Sequence, residues 1–453
     1  MATAEQDSGA PPLTLRAADI NVQRPDGVFA EDCLQRQPAV ELLGGVLAST
    51  ESPAVVALNG KFGSGKSTFL KMCAAVLRQR DVTVVEIDAW QQRYTGDALV
   101  DLIGALSDTI PTEQRRLGKA IEFAGRIARG ATWGAVSQLT GGVLSAPELN
   151  EADSSAVADW NAFKEARVGL RETISKIAED HGGRIVFIID ELDRCPPPYA
   201  LDVLDRVRNV LDIPGVVVLY GITRSQLVNA VQQEQGAGSD AGAYLARFFD
   251  REIRLRAPNR FEALQFVQRQ MARLPNLAAL SQSPLAGVWA ELQDYAVAVL
   301  GGRLRDLQQF LCTADTVLWL ARRDENRAVA LVLLTLRQVA RDAYDDFIAG
   351  TINGYQAAAA LNVQASKRPG VSADFTPWLQ ANLILRSLGE GAALPQSEEF
   401  VEKFTSAKAG TDQEAAIAHD TLLNLYNSAN NISRVTASLP YLVSLVEMSE
   451  PPS

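Results

Sequence analysis

The 453-residue chain predicts an α/β fold in which a parallel sheet carries helices on both faces and is followed by a helical region. Three observations predict it. Five short strand signals, at 54–58, 82–87, 185–189, 216–220 and 252–255, alternate with long segments of helical periodicity, as strands joined by helical crossovers do. A glycine-rich octapeptide follows the first run almost directly. Beyond a break at Ala257-Pro258-Asn259, apolar residues recur at helical spacing instead. The expected organisation is a flexible tail over 1–20, a sheet-containing core over 21–256 with a helical insertion at about 97–180, a helical lid over 257–344 and a C-terminal helical domain over 345–453.

The first dozen residues, through Ala10-Pro11-Pro12, lack the charged-then-apolar pattern of a secretory signal and read as a tail. The first strand, Ala54-Val55-Val56-Ala57-Leu58, leads into Gly60-Lys61-Phe62-Gly63-Ser64-Gly65-Lys66-Ser67, which reads GxxxxGK[ST], and a helical pattern runs on over 68–77. Strand, glycine turn and helix in that order form a phosphate cradle. The three glycines let the backbone curl with its N–H groups inward, making a nest for a β-phosphate at a helix N-terminus. Lys66 would reach the β- and γ-phosphates and the Ser67 hydroxyl would ligate Mg²⁺. The expected nucleotide-binding set is Gly60, Phe62, Gly63, Ser64, Gly65, Lys66, Ser67 and Thr68.

The second strand, 82–87, ends in Ile87-Asp88-Ala89-Trp90. Within the insertion, residues 130–146 carry no charge, but Gln, Ser, Thr and Gly dilute them below the apolar content of a span of about 20 residues. A small-residue helix packed on the core, or an inserted loop, is the expectation; peripheral membrane contact through Trp133 and the flanking Arg126 and Arg129 is the lesser reading. The third strand, Ile185-Val186-Phe187-Ile188-Ile189, is β-branched and apolar throughout, as a strand buried on both faces must be, and it ends in Asp190-Glu191. That is a Walker B arrangement. Asp190 would hold Mg²⁺ through water, and Glu191 is placed to orient and activate an attacking water.

The octapeptide, the Ile87-Asp88-Ala89-Trp90 ending and Asp190-Glu191-Leu192-Asp193-Arg194-Cys195-Pro196 together resemble the KAP family of P-loop NTPases, over about residues 30–310. The resemblance implies an Mg²⁺-dependent ATPase of the additional-strand class, of a kind often found in signalling, membrane-linked assemblies or defence against phage and plasmids. Relatives often carry transmembrane helices between the two Walker motifs. They also tend to place an Asp after the strand that corresponds to 216–220, where this chain has Gly221-Ile222-Thr223-Arg224. Thr223 could present its hydroxyl toward a γ-phosphate or lytic water, or cap the following helix.

A transition state that spreads charge over three equatorial oxygens gains most from a cation inserted late. Arg194 stands beside the Walker B pair; Arg247, in Arg247-Phe248-Phe249-Asp250, resembles the stretch that ring ATPases set against a neighbour's nucleotide; Arg305, in Gly302-Arg303-Leu304-Arg305, looks like a lid arginine that senses the γ-phosphate. Lys66, Glu191, Arg247 and Arg305 are the catalytic candidates, Ser67 and Asp190 the metal ligands. As a set the arginines suggest a site closed by a second domain or subunit.

Composition sets limits. A net charge of -11 argues against a standing, nonspecific grip on nucleic acid, which needs Lys and Arg to neutralise phosphates. Cys33, Cys73, Cys195 and Cys312 are scattered without CxxC spacing, which points to free thiols in a reducing, cytoplasmic compartment. In the lid, Phe261, Leu264, Val267, Met271 and Leu274 are expected to face a core. The C-terminal domain is Ala- and Leu-rich; Trp378 or Tyr441 could meet a partner there, with packing the plainer role. The reading is ATP hydrolysis coupled to movement of the helical regions, with a protein partner or a homo-oligomer. Its alternatives are a slow nucleotide-dependent switch or scaffold, and a kinase acting on a small molecule.

Overall fold

The computed structural model describes residues 27–139, 152–280, 282–283, 286–321 and 324–352, with a few isolated residues beyond. The expected tail over 1–20 and nearly all of the expected C-terminal domain, with Trp378 and Tyr441, lie outside the described residues. The chain divides into two compact units, one ending at Ala257 and the other running from Pro258.

The first unit runs α1 (Gln37–Ser49), β1 (Ala54–Asn59), α2 (Lys66–Arg78), β2 (Thr83–Asp88), α3 (Ala98–Thr109), α4 (Gln114–Leu139), α5 (Ala152–Asp180), β3 (Ile185–Asp190), α6 (Pro197–Asn209), β4 (Val216–Ile222), α7 (Arg224–Gln235), α8 (Ala241–Ala246) and β5 (Arg251–Arg254). The strands form one five-stranded sheet in the order β2-β3-β4-β1-β5, every pairing parallel. β4 therefore stands between the strand that carries the glycine loop and the strand that carries the carboxylates.

Alternation along each strand builds the two layers. Val55 and Ala57 of β1, Ile185, Phe187 and Ile189 of β3 and Val216, Val218 and Tyr220 of β4 point into one core with α3 to α8. Val56 and Leu58, Val186 and Ile188, and Val217 and Leu219 point the other way, onto α1 and α2. Burial on both faces explains the unbroken apolar runs of the three central strands. At one edge, β2 turns Glu86 outward to an ion pair with Arg78 at 2.6 Å. At the other, all four residues of β5 are exposed, and the strand is held by its ladder to β1.

The insertion between β2 and β3 consists, in its described part, of α3, α4 and α5. Asp97 starts α3 by accepting the amides of Leu99 and Val100, both at 3.0 Å. α4 carries the uncharged stretch as far as Leu139, and 140–151 lie outside the described residues. No described helix is long and apolar enough to cross a membrane.

The second unit is helical in its described part: α9 (Arg260–Met271), α10 (Pro275–Leu280), α11 (Ala286–Leu300), α12 (Leu304–Leu320), α13 (Asp324–Val339) and α14 (Arg341–Ile348). A capping box between Asn259 and Glu262 starts α9. Its buried face runs through Ala263, Phe266, Val267 and Gln270 to Leu274, so the expected stripe is corrected: Phe261 is exposed, on the far side of the helix. Asp315 of α12 is fully buried and serves as a cap from another helix, accepting the amides of Asn276 and Leu277 at 2.9 Å and the Asn276 side chain at 3.0 Å. The Trp289 and Phe310 rings stack 6.1 Å apart between α11 and α12.

Candidate nucleotide site

The glycine loop lies at the C-terminal edge of the sheet, where β1 stops at Asn59 and the Gly60 N–H donates to the Ile222 carbonyl at 3.0 Å. A Cβ on Gly60 would come within 2.8 Å of Ser64 Oγ and 3.0 Å of Lys66 Cγ, so only glycine lets the loop fold back this tightly. Gly63 and Gly65 take left-handed φ values of 71° and 85°, which reverse the chain and deliver it into α2 with Lys66 as the first helical residue. Ser67 and Thr68 sit half-buried in that first turn, and Phe62 projects from the loop, about half exposed.

The loop is also braced by a residue that sequence reasoning missed. The buried Arg36 guanidinium donates to the Ser64 carbonyl at 2.7 Å and to the Gly65 carbonyl at 3.0 Å. Binding these two carbonyls to a cation fixes the peptide orientation of the turn. One signal existed: Arg36 stands at the start of α1, where the helix dipole disfavours a cation, so another interaction had to hold it there.

Lys66 is buried, and its Nζ donates to the Gly60 carbonyl at 3.0 Å and to Thr223 Oγ1 at 2.9 Å; the Thr223 hydroxyl in turn donates to Gly60 O at 3.2 Å. Thr223 precedes α7 but its side chain does not cap that helix; its hydroxyl is spent on Lys66 and Gly60 instead. Burial pushes the Lys66 pKa down, against the opposing pull of the Asp193, Asp190 and Glu191 carboxylates. Burial pushes the Asp190 pKa up, against the Ser67 hydroxyl, the Glu191 amide and the Lys66 ammonium. Mutual attraction between cation and anion would move each pKa the other way; both shifts show that desolvation outweighs it in this cleft.

Ser67 thus stands near Asp190 across the gap between the two motifs, close enough for its hydroxyl to favour the ionised carboxylate. Gly221 of β4 makes room for this, since a Cβ there would lie 2.7 Å from Asp190 Oδ1. Two oxygens alone do not enclose a cation, and no group of three or more His, Cys, Asp or Glu suited to a metal occurs among the described residues. The pair suits a hard cation, such as Mg²⁺, that takes its remaining ligands from phosphates and water.

Glu191 leaves β3 with a left-handed backbone, φ 57° and ψ 24°, and its amide donates to Asp190 Oδ1 at 2.9 Å. Its carboxylate pairs with Arg194 Nε at 2.5 Å, and the Arg194 guanidinium lies 5.5 Å from the centre of the Phe62 ring. Asp193, not singled out from sequence, is the carboxylate that most strongly opposes the effect of burial on Lys66. Asp88, paired in register with Asp190, accepts the Trp90 and Gln91 amides at 3.1 and 2.9 Å and so shapes the turn after β2.

The remaining arginines are not brought to the loop within this unit. Arg247 is exposed just after α8, three residues before Asp250, whose carboxylate accepts the Val55 amide at 2.8 Å at the N-terminal end of β1. That is the opposite edge of the sheet from Lys66. Arg305 belongs to the second unit, in the first turn of α12.

A family profile described as the KAP family P-loop domain matches residues 36–341. Among solved structures, the chain is similar to Cdc6p from Pyrobaculum aerophilum, with 12% identity, 96% of this chain and 98% of that chain covered, and a TM-score of 0.33. It is similar also to a Walker-type ATPase of Pyrococcus abyssi, with 13% identity, 92% and 97% covered, and a TM-score of 0.33. A third is the ORC2 protein of Aeropyrum pernix in ADPNP-ADP complexes, with 11% identity, 92% and 93% covered, and a TM-score of 0.28. No curated protein matches the chain.

Proposed function

The chain belongs to the KAP family of P-loop NTPases, and from that premise we propose that it binds Mg·ATP and hydrolyses it, using the energy to move its helical regions within a signalling or phage- and plasmid-defence type assembly in the cytoplasm. The observation that carries the reading is the buried Lys66, held by Gly60 O and Thr223 Oγ1 at the end of the glycine loop and in the field of the Asp190 and Glu191 carboxylates.

In this proposal the Gly63–Gly65 turn presents its amides to the β-phosphate, and Lys66 exchanges Gly60 O and Thr223 Oγ1 for β- and γ-phosphate oxygens. Bound between Ser67, Asp190 and the phosphates, magnesium would neutralise charge that develops on the phosphate oxygens. Glu191 orients the attacking water and accepts its proton. Arg247, at the far edge of its own sheet, serves a second copy of the chain, and Arg305 serves from the helical unit.

The test is phosphate release and nucleotide binding by purified protein. Lys66→Ala should abolish tight binding, whereas Glu191→Gln should bind ATP and stall. Failure of the wild-type protein to bind ATP in the presence of Mg²⁺ would remove the assignment, and mass measurement with and without ATP decides whether copies assemble.

A further inference from the structure

We propose that Arg194 is the positioning residue for Glu191, holding its carboxylate toward the phosphate site by bridging it to the Phe62 ring of the glycine loop. The proposal rests on the hydrolytic reading above.

Glu191, Leu192, Asp193 and Arg194 form a single tight turn in which the Arg194 amide donates to the Glu191 carbonyl at 3.2 Å, and Leu192–Arg194 is a 3₁₀ helix. The turn brings Arg194 back over the end of β3, where its guanidinium meets the Glu191 carboxylate in a 2.5 Å ion pair. The left-handed φ of Glu191 is a strained conformation for a residue with a Cβ, so its side chain leaves β3 in a direction that the strand alone would not give.

The second half of the bridge fixes the first. The Arg194 guanidinium lies over Phe62, 5.5 Å from the ring centre, and Phe62 belongs to the loop that would wrap the β-phosphate. One planar cation thus joins the end of β3 to the loop after β1, across the intervening β4. A glutamate carboxylate on its own hangs on three rotatable bonds and has several ways to point; tied to a guanidinium that is itself seated on the loop, it moves with the loop. Occupancy of the cradle and aim of the base become one event. Misplacing a reacting group by about 1 Å can cost on the order of a hundredfold in rate, so a residue that never touches phosphate can still govern turnover.

The experiment is steady-state and single-turnover ATP hydrolysis, with binding of a fluorescent ATP analogue measured in parallel. Arg194→Ala should lower kcat by about 10- to 100-fold with little change in KM or in analogue binding. Arg194→Lys, which keeps the charge without the planar stack, should recover part of the loss, and Phe62→Ala should lower kcat in the same direction by less. Glu191→Gln combined with Arg194→Ala should be no slower than Glu191→Gln alone, because Arg194 acts through the carboxylate. The proposal is overturned by an additive loss in the double variant, which would put Arg194 on the phosphate itself, by an unchanged or raised kcat in Arg194→Ala, or by a loss confined to KM. A wild-type protein that binds the analogue but releases no phosphate defeats the hydrolytic reading instead, and is recognised before any variant is compared.

Discussion

Replacing Gly221 with alanine probes the narrowest clearance at the site. Gly221 lies in β4 beside Leu58, buried and with ordinary extended backbone, so alanine is conformationally acceptable there and restricts the unfolded chain, a gain of about 0.4–1 kcal/mol. Against that, the new Cβ would stand 2.5 Å from Leu70 Cδ1 and 2.7 Å from Asp190 Oδ1. Leu70 is itself buried and has little room to yield. Overpacking of this kind costs about 1–3 kcal/mol, so the net loss is up to about 2.6 kcal/mol, or a fall in Tm of up to about 10 °C for a unit of this size. The more diagnostic effect is on Asp190, whose Oδ1 would be pushed away from the Glu191 amide that it accepts at 2.9 Å. If that displacement removes about 1.4 kcal/mol from the metal site, the half-saturating Mg²⁺ concentration for phosphate release rises about tenfold. Thermal melts and Mg²⁺ titrations at saturating ATP measure the two effects. Gly104→Ala in α3 is the control: a Cβ there meets no atom within 4 Å, and the change should raise Tm. A Gly221→Ala protein with unchanged Tm and the wild-type Mg²⁺ requirement would refute the claim that this clearance sets the position of the carboxylate.

Thr223→Val removes the hydroxyl that accepts from Lys66 and donates to Gly60, and should cost about 1–3 kcal/mol in the nucleotide-free protein. The cost should shrink when ATP supplies Lys66 with new partners; equal losses in melts with and without nucleotide would count against that. Asp315→Ala strips three donors around the start of α10 of their acceptor and should destabilise the helical unit by about 3–5 kcal/mol, read by denaturant unfolding; a loss below about 1 kcal/mol would refute its role as a cap. Burial raises the thiol pKa of Cys73 to about 12 and of Cys195 to about 11. An unfolded chain releases these protons near pH 9, so stability present below that pH should fall as pH rises from 9 toward 11 and 12, and Cys73→Ala should flatten the fall in Tm between pH 8.5 and 10.5.

The parts of the fold legible in the sequence are those for which burial writes an unambiguous pattern. Strands β1, β3 and β4 are covered on both faces, so their runs are apolar without interruption and their positions could be read within a residue or two. The glycine loop was legible because its spacing answers to phosphate geometry. β5 was placed for position but not for character: its Arg, Glu and Arg are exposed at a sheet edge, where alternation carries little information. The face of α9 was misjudged because Phe261 has the right residue type but falls outside the buried face, which runs through Ala263, Phe266, Val267 and Gln270. Long-range partners left the weakest trace. The order of residues gives only a faint sign that Arg36 grips Ser64 and Gly65, and none that Arg194 reaches Phe62, since each is a consequence of chain crossings tens to hundreds of residues apart.

Lys66 resting on Gly60 and Thr223 has a thermodynamic corollary. The cradle carries internal surrogates for phosphate oxygen, so ligand capture would be a swap of acceptors rather than a first solvation of a naked charge. Measured affinity is then a difference between two well-coordinated states. A variant that weakens the surrogates without touching the amides of the turn would tighten the grip on nucleotide while making the apo protein more fragile.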